Sequence, residues 1–222
     1  MISSLQNHIA EFRAKIPPHI RVIAVTKTVS VEAMRTAYAA GIRDFGENRV
    51  QEAETKRAEL KDLTDVTWHL IGHLQSNKAK SAIDLFDWIH SVDSLKLAQR
   101  LDRLAEEQDR KPQICLQAKL MSDPNKSGFS VSELWDAIPQ LEQLKHLHIR
   151  GLMVIPPFDL EAEATIALFR QARELAEKIR THSQLNLDQL SMGMSGDYAL
   201  AIQAGATMIR PGRVLFGARL QK

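Results

Sequence analysis

Lys27 closes the run Arg21-Val22-Ile23-Ala24-Val25-Thr26-Lys27, and its amine is the first group in the chain placed to do chemistry. Side chains alternate along an extended strand, so Ile23, Val25 and Lys27 share one face. A lysine that continues an apolar face at the C-terminal end of a strand is partly desolvated. Desolvation lowers its pKa and frees the amine for Schiff-base formation. A lysine snorkelling off a strand end satisfies the same spacing. The segment Ser191-Met192-Gly193-Met194-Ser195-Gly196-Asp197-Tyr198 reads as a strand running into a helix. Backbone N–H groups at such a helix start, with the Ser195 hydroxyl, form an anion site, and Gly196 lets a ligand approach the backbone. An ordinary helix cap is the alternative. In Ile209-Arg210-Pro211-Gly212-Arg213 the arginine ends an apolar strand and a Pro-Gly turn follows. Gly212 and Arg213 would add donors to the anion, unless Arg210 is only a salt-bridged rim arginine. His69 and His73 are four apart, which on a helix would suggest metal ligation. Leu70-Ile71-Gly72 between them reads as a strand entering a loop, and no carboxylate or thiol cluster completes a ligand set, so no metal site is expected.

The elements that must position these groups alternate strictly. Strands are expected over 21–27, 44–48, 67–72, 87–92, 113–120, 148–155, 189–194 and 207–210. Helical patterns occupy 31–40, 49–60, 94–109, 131–144, 160–180 and 197–204. Gly41 is a stop for the first of them, and Ser94 is a cap for the third. The opening segment carries Leu5, Ile9, Phe12 and Ile16 at helical spacing and has no apolar core of the kind a signal peptide needs. Such alternation requires parallel strands joined by helical crossovers. An open sheet and a closed barrel both satisfy it. Eight strands, with Lys27, Asn48, His73, Asp93, Lys126, Ser195 and Arg210 gathered where they end, favour an α/β fold of the (β/α)8 TIM-barrel type. Strands one and eight are neighbours in a closed barrel, so Arg210 is expected to point inward beside Lys27. One barrel domain is expected over residues 1–222. The usual final helix is expected to be missing, and the N-terminal helix to close the barrel floor.

Composition sets the limits. Of 222 residues, 44% are hydrophobic and 25% charged, and the formal net charge is +2, so there is no basic footprint for nucleic acid. No stretch approaches the length of a membrane span. The single cysteine, Cys115, lies in the apolar run Ile114-Cys115-Leu116, which fits a buried thiol and a reducing, cytoplasmic setting.

Taken together, the motifs resemble the pyridoxal phosphate homeostasis family, the one-domain relatives of the fold-type III, alanine-racemase-like proteins that use pyridoxal 5'-phosphate (PLP). The resemblance covers almost the whole chain. It rests on Ala24-Val25-Thr26-Lys27, Phe45-Gly46-Glu47-Asn48, the segment 68–78, Lys126-Ser127-Gly128, Arg150-Gly151-Leu152-Met153 and the run 190–219. The family commonly has serine before the lysine, where this chain has Thr26.

The resemblance implies a PLP aldimine on Lys27, with the phosphate on Ser195, Gly196, Gly212 and Arg213. It implies Arg210 facing the pyridine nitrogen and Asn48 and Met153 lining the ring pocket. Lys126 would be either a second amine that lifts PLP off Lys27 by transimination or a solvated loop lysine. An always-charged arginine disfavours protonation of that nitrogen, and an unprotonated ring is a poorer electron sink, so transamination and decarboxylation are not expected. Racemisation needs an acid-base group on each face. In alanine racemases a tyrosine from a separate C-terminal domain, delivered across a dimer, supplies the second. This sequence stops at Lys222, and its two tyrosines, Tyr38 and Tyr198, fall in expected helices. The expectation is a monomeric, non-catalytic PLP carrier or regulator. It would exchange cofactor with apo-enzymes and influence amino-acid and keto-acid balance; the alternative is a weak PLP-dependent racemase.

Overall fold

The structure, a computed structural model, describes residues 2–121 and 127–217. Eight parallel strands close into a barrel in chain order. They are β1 (Arg21–Val25), β2 (Asp44–Glu47), β3 (Thr67–Leu70), β4 (Trp88–Val92), β5 (Gln113–Gln117), β6 (His148–Met153), β7 (Gln189–Ser191) and β8 (Met208–Ile209). β1 pairs with β2 on one side and with β8 on the other, which seals the ring. The helices are α1 (Ile2–Ala14), α2 (Val31–Ala39), α3 (Val50–Glu59), α4 (Ala79–Leu85), α5 (Leu95–Glu107), α6 (Val131–Leu141), α7 (Ala162–His182), α8 (Tyr198–Gln203) and α9 (Arg213–Phe216).

Strand alternation produces two nested cores. Ala24 packs outward with the helices, whereas Ile23 joins Trp88, Cys115, Met153 and Met208 inside the barrel. Burial pushes the Cys115 thiol up to about 12, so it acts as a small apolar side chain. The helices bury the expected faces. Ser94 caps α5 through the Leu97 N–H, and Ala98, Leu101, Leu104 and Ala105 are buried, with Leu97 in place of the half-buried Leu95.

Most strands end two or three residues earlier than their apolar runs suggest. Several of the rim residues still donate one ladder-type bond: Thr26 N–H to Gly46, Ile71 N–H to Glu47, Ala118 N–H to Met153 and Arg210 N–H to Gly193. The chain is therefore extended at the rim but splays into the loops that build the mouth. Two helices escape the sequence reading, α4 and α9, because four to seven residues carry too little periodicity. The placement of α1 also differs from expectation. Its body packs on α2 and α9 in the outer ring, with Ile9 and Phe12 buried, Phe12 edge-on to Tyr198 and His8 bonded to the Val214 carbonyl. It fills the place of a full eighth crossover helix. Only its last turn and residues 16–20 reach the floor.

Candidate ligand site at the barrel mouth

A cavity of about 630 Å³ opens at the C-terminal ends of the strands. Its lining brings together Lys27, Asn48, Ser195, Gly196, Arg210, Gly212 and Arg213, seven residues singled out from the sequence. Val25 and Ile71 form its base, and the loop 155–160 after β6 forms one wall. Met153 is placed one layer deeper, fully buried in the interior cluster, and Ile155 lines the cavity above it. Lys126 lies outside the described residues. Neither Tyr38 nor Tyr198 lines the cavity: Tyr38 donates to Asp65 on the outer surface, and Tyr198 packs against Phe12.

Two loops make an anion cradle. The Ser195 hydroxyl accepts the N–H groups of Gly212 (3.0 Å) and Val214 (3.2 Å), which ties the loop after β7 to the loop after β8. The N–H groups of Ser195, Gly196 and Arg213 make no hydrogen bond among the described residues. A Cβ built on Gly196 would meet nothing within 4 Å. Gly193, at φ 92°, needs glycine for a different reason: a Cβ there would sit 2.6 Å from that of Ala201 on α8.

Lys27 is half-buried, and the residue before it is clamped from behind. Lys56 on α3 donates to the Thr26 carbonyl (2.6 Å), to Glu47 (2.9 Å) and to Glu52 (2.6 Å). The Thr26 hydroxyl donates to the same Glu47 oxygen at 2.6 Å. Thr28, at φ 60°, donates its N–H to Glu52. Burial pushes the Glu47 carboxyl up, against the pull of Thr26 and Lys56. Burial works against Glu52 as well, but Lys56 and the Thr28 N–H outweigh it and hold that carboxyl below the usual range. The sequence analysis did not single out this cluster. Its signal was Glu47 on the outward, buried phase of β2, and Glu52 and Lys56 one turn apart.

Arg210 is 3% exposed and meets the cavity from the barrel axis. It donates to Ser191 Oγ at 2.7 Å and to the Val154 carbonyl at 3.0 Å. Burial pulls its guanidinium down to about 10, so it stays charged at neutral pH. Below it lie two fully buried histidines. His90 is 2.7 Å from Ser191 Oγ and 2.9 Å from His69, which is 2.9 Å from Asp44. His69 thus faces the barrel axis, whereas His73 is exposed beside Asp93, and the pair shares no ligand geometry. Among the described residues no three metal-ligating side chains cluster.

Both imidazoles are held neutral. His90 is pulled well below the usual range by burial, then by His69 and Arg210; burial also lowers His69, against Asp44. In the unfolded chain both protonate near about 6.5. Below that pH the unfolded chain binds protons that the native state refuses, so stability is full above it and falls with acid. The slope from one such histidine is at most about 1.4 kcal/mol per pH unit. Urea midpoints of wild type and His90→Phe, measured between about pH 7.5 and 5.5, should show a shallower acid loss in the variant. Equal slopes would show that His90 is not one of the titrating groups.

The chain matches the family model described as alanine racemase, N-terminal domain, over residues 2–220. It is 51% identical over 211 residues to the pyridoxal phosphate homeostasis protein of Synechocystis sp., covering 95% of this chain and 97% of the relative. The Escherichia coli K12 protein of the same name is 35% identical, with 98% of each chain covered. The chain belongs to the pyridoxal phosphate homeostasis protein family. Another close relative, PipY of Synechococcus elongatus, has been solved with PLP bound; it is 54% identical, with a TM-score of 0.93 over 96% of this chain and all of that one. An alanine racemase of Clostridium difficile shares the fold at 17% identity and a TM-score of 0.76, and the family barrel spans 60% of that longer chain. The donors at the mouth fit the family's cofactor. Amides without a partner among the described residues and the open face of Gly196 suit a phosphate, and an amine and a buried guanidinium line the same cavity.

Proposed function

We infer that this protein binds PLP in the cavity at the barrel mouth, with the cofactor held covalently through Lys27, and serves intracellular PLP homeostasis as a carrier or regulator. The observation that supports this most is the convergence of Lys27, Arg210 and the two tied loops on one cavity of about 630 Å³, a volume suited to a small phosphorylated ring. Bound PLP supplies an electrophilic aldehyde and a conjugated ring. The Ser195, Gly196 and Arg213 amides and the Gly212 turn hold the phosphate. Arg210 orients the ring, and Asn48 borders it. The guanidinium stays charged at neutral pH and disfavours a second positive charge beside it, which favours storage of the cofactor over carbanion chemistry.

A racemase reading needs two acid-base groups on opposite faces of the ligand. Lys27 supplies one, and neither tyrosine lines the cavity. The test is titration of the apo-protein with PLP, followed by transfer to an apo-enzyme. A visible band and transfer are expected, without turnover of single-enantiomer amino acids at about 1 per second or faster. Such turnover would move the protein to the enzymes.

Gly196 gives a sharper check of the phosphate cradle. Gly196→Val puts its Cβ where no protein atom lies within 4 Å. Thermal stability should stay within about 0.5 kcal/mol of wild type. PLP should bind at least about tenfold more weakly, the loss expected from one or two charge-assisted hydrogen bonds. Unchanged affinity would place the phosphate elsewhere.

A further inference from the structure

The barrel axis carries a polar chain where branched apolar side chains normally fill the space. Its hydrogen bonds have one consistent direction. Arginine only donates, so Ser191 Oγ accepts from Arg210 and turns its own hydrogen to His90 Nδ1. His90 then carries its hydrogen on Nε2 and gives it to His69 Nδ1, and His69 gives its Nε2 hydrogen to Asp44. Starting instead from Asp44, which only accepts as a carboxylate, leads to the same tautomers. Each link exists because the one above leaves a buried group unsatisfied, and such a group costs about 1–3 kcal/mol. The chain ends where water begins. Asp44 is partly exposed, pairs with Arg21 at 3.2 Å and borders a floor cavity of about 340 Å³.

We propose that Ser191, His90, His69 and Asp44 are positioning residues for Arg210, so that a carboxylate at the barrel floor fixes the guanidinium that meets the cofactor ring at the mouth. The proposal rests on the PLP reading for its functional meaning, but the hydrogen bonds exist without a ligand. Arg210 has no carboxylate within 4 Å among the described residues. Its orientation depends on Ser191 and one carbonyl alone. An apolar barrel axis would leave it free to swing into the cavity. The relay removes that freedom without placing an anion beside Arg210, which would blunt its charge.

The test compares Asp44→Ala and Asp44→Asn, both far from the mouth. Asparagine still offers an oxygen to His69 and Arg21; alanine does not. In the unliganded protein, NMR should show both histidines as Nε2–H tautomers. Asp44→Ala should displace the Arg210 guanidinium resonances, and Asp44→Asn should leave them near wild type. With PLP added, Asp44→Ala should displace the visible band of the bound cofactor and weaken binding about threefold or more; Asp44→Asn should restore both. Ser191→Ala, which removes the link nearest Arg210, should have the larger effect. Guanidinium resonances that ignore Asp44→Ala in a folded variant would overturn the proposal, whatever PLP does. A wild-type protein that takes up no PLP would instead sink the cofactor reading, and the NMR comparison would still decide whether the relay sets Arg210.

Discussion

Lys27→Ala should remove the visible band of the PLP-loaded protein altogether and leave no cofactor on any peptide after borohydride reduction. Wild type treated in the same way should carry the reduced adduct on the peptide containing Lys27. The expectation follows from position. Lys27 is the amine on the same strand face as Ile23 and Val25, and it opens onto the cavity that the anion cradle also lines. Imine formation needs an amine that reaches the aldehyde, and Lys27 lines the cavity. Weak, colourless binding through the phosphate loops should survive in the variant, because Ser195, Gly196 and Arg213 do not depend on the lysine. A band that persists in a folded Lys27→Ala protein, or an adduct that maps elsewhere, would defeat the covalent assignment.

The largest effect on stability is expected at Lys56, away from the cavity lining. Lys56 is 7% exposed, and its ammonium contacts Glu47, Glu52 and the Thr26 carbonyl. Lys56→Met keeps the volume but leaves the fully buried Glu47 without a cation, its other oxygen, Oε2, already having no partner among the described residues. Breaking one side of a buried pair costs about 3–5 kcal/mol, more than the pair itself contributes to stability. Urea unfolding should report a loss of that size, and adding Glu47→Gln should recover part of it. The Thr26 carbonyl also loses its donor, so the turn that carries Lys27 loosens and PLP binding should weaken in parallel. A loss below about 1 kcal/mol would mean that the pair is effectively solvated, as surface pairs are.

Much of the mouth was legible in the sequence because it follows from period two. Ile23, Val25 and Lys27 could be assigned to one face without a structure, and the Ser195 and Gly212 loops announced themselves through glycine and proline at strand ends. Met153 obeys the same rule and does point inward, but strand alternation gives the face and not the depth, and it lies below the cavity. The ends of β7 and β8 were overestimated, since apolar character continues past the last paired residue into the rim. The helices α4 and α9 are too short to show a period. The axial chain was hidden for another reason. Asp44, His69, His90 and Ser191 come from four strands and Arg210 from the end of a fifth, so no local motif holds them together. Only closure of the barrel brings them into one line. His69 was noticed with His73, its neighbour in sequence, whereas its partners lie across the axis.

The two hydrogen bonds received by Ser195 Oγ have a consequence for how the protein gains and gives up its cargo. With both lone pairs occupied, the hydroxyl has only its hydrogen to offer, and the pocket's oxyanion hole stands ready-made before anything enters. A phosphate that enters then meets donors already in place, and these two loops need not rearrange to receive it. Under the proposed carrier role, the same preformed loops would leave competition from outside amines for the aldehyde carbon to set the pace of delivery.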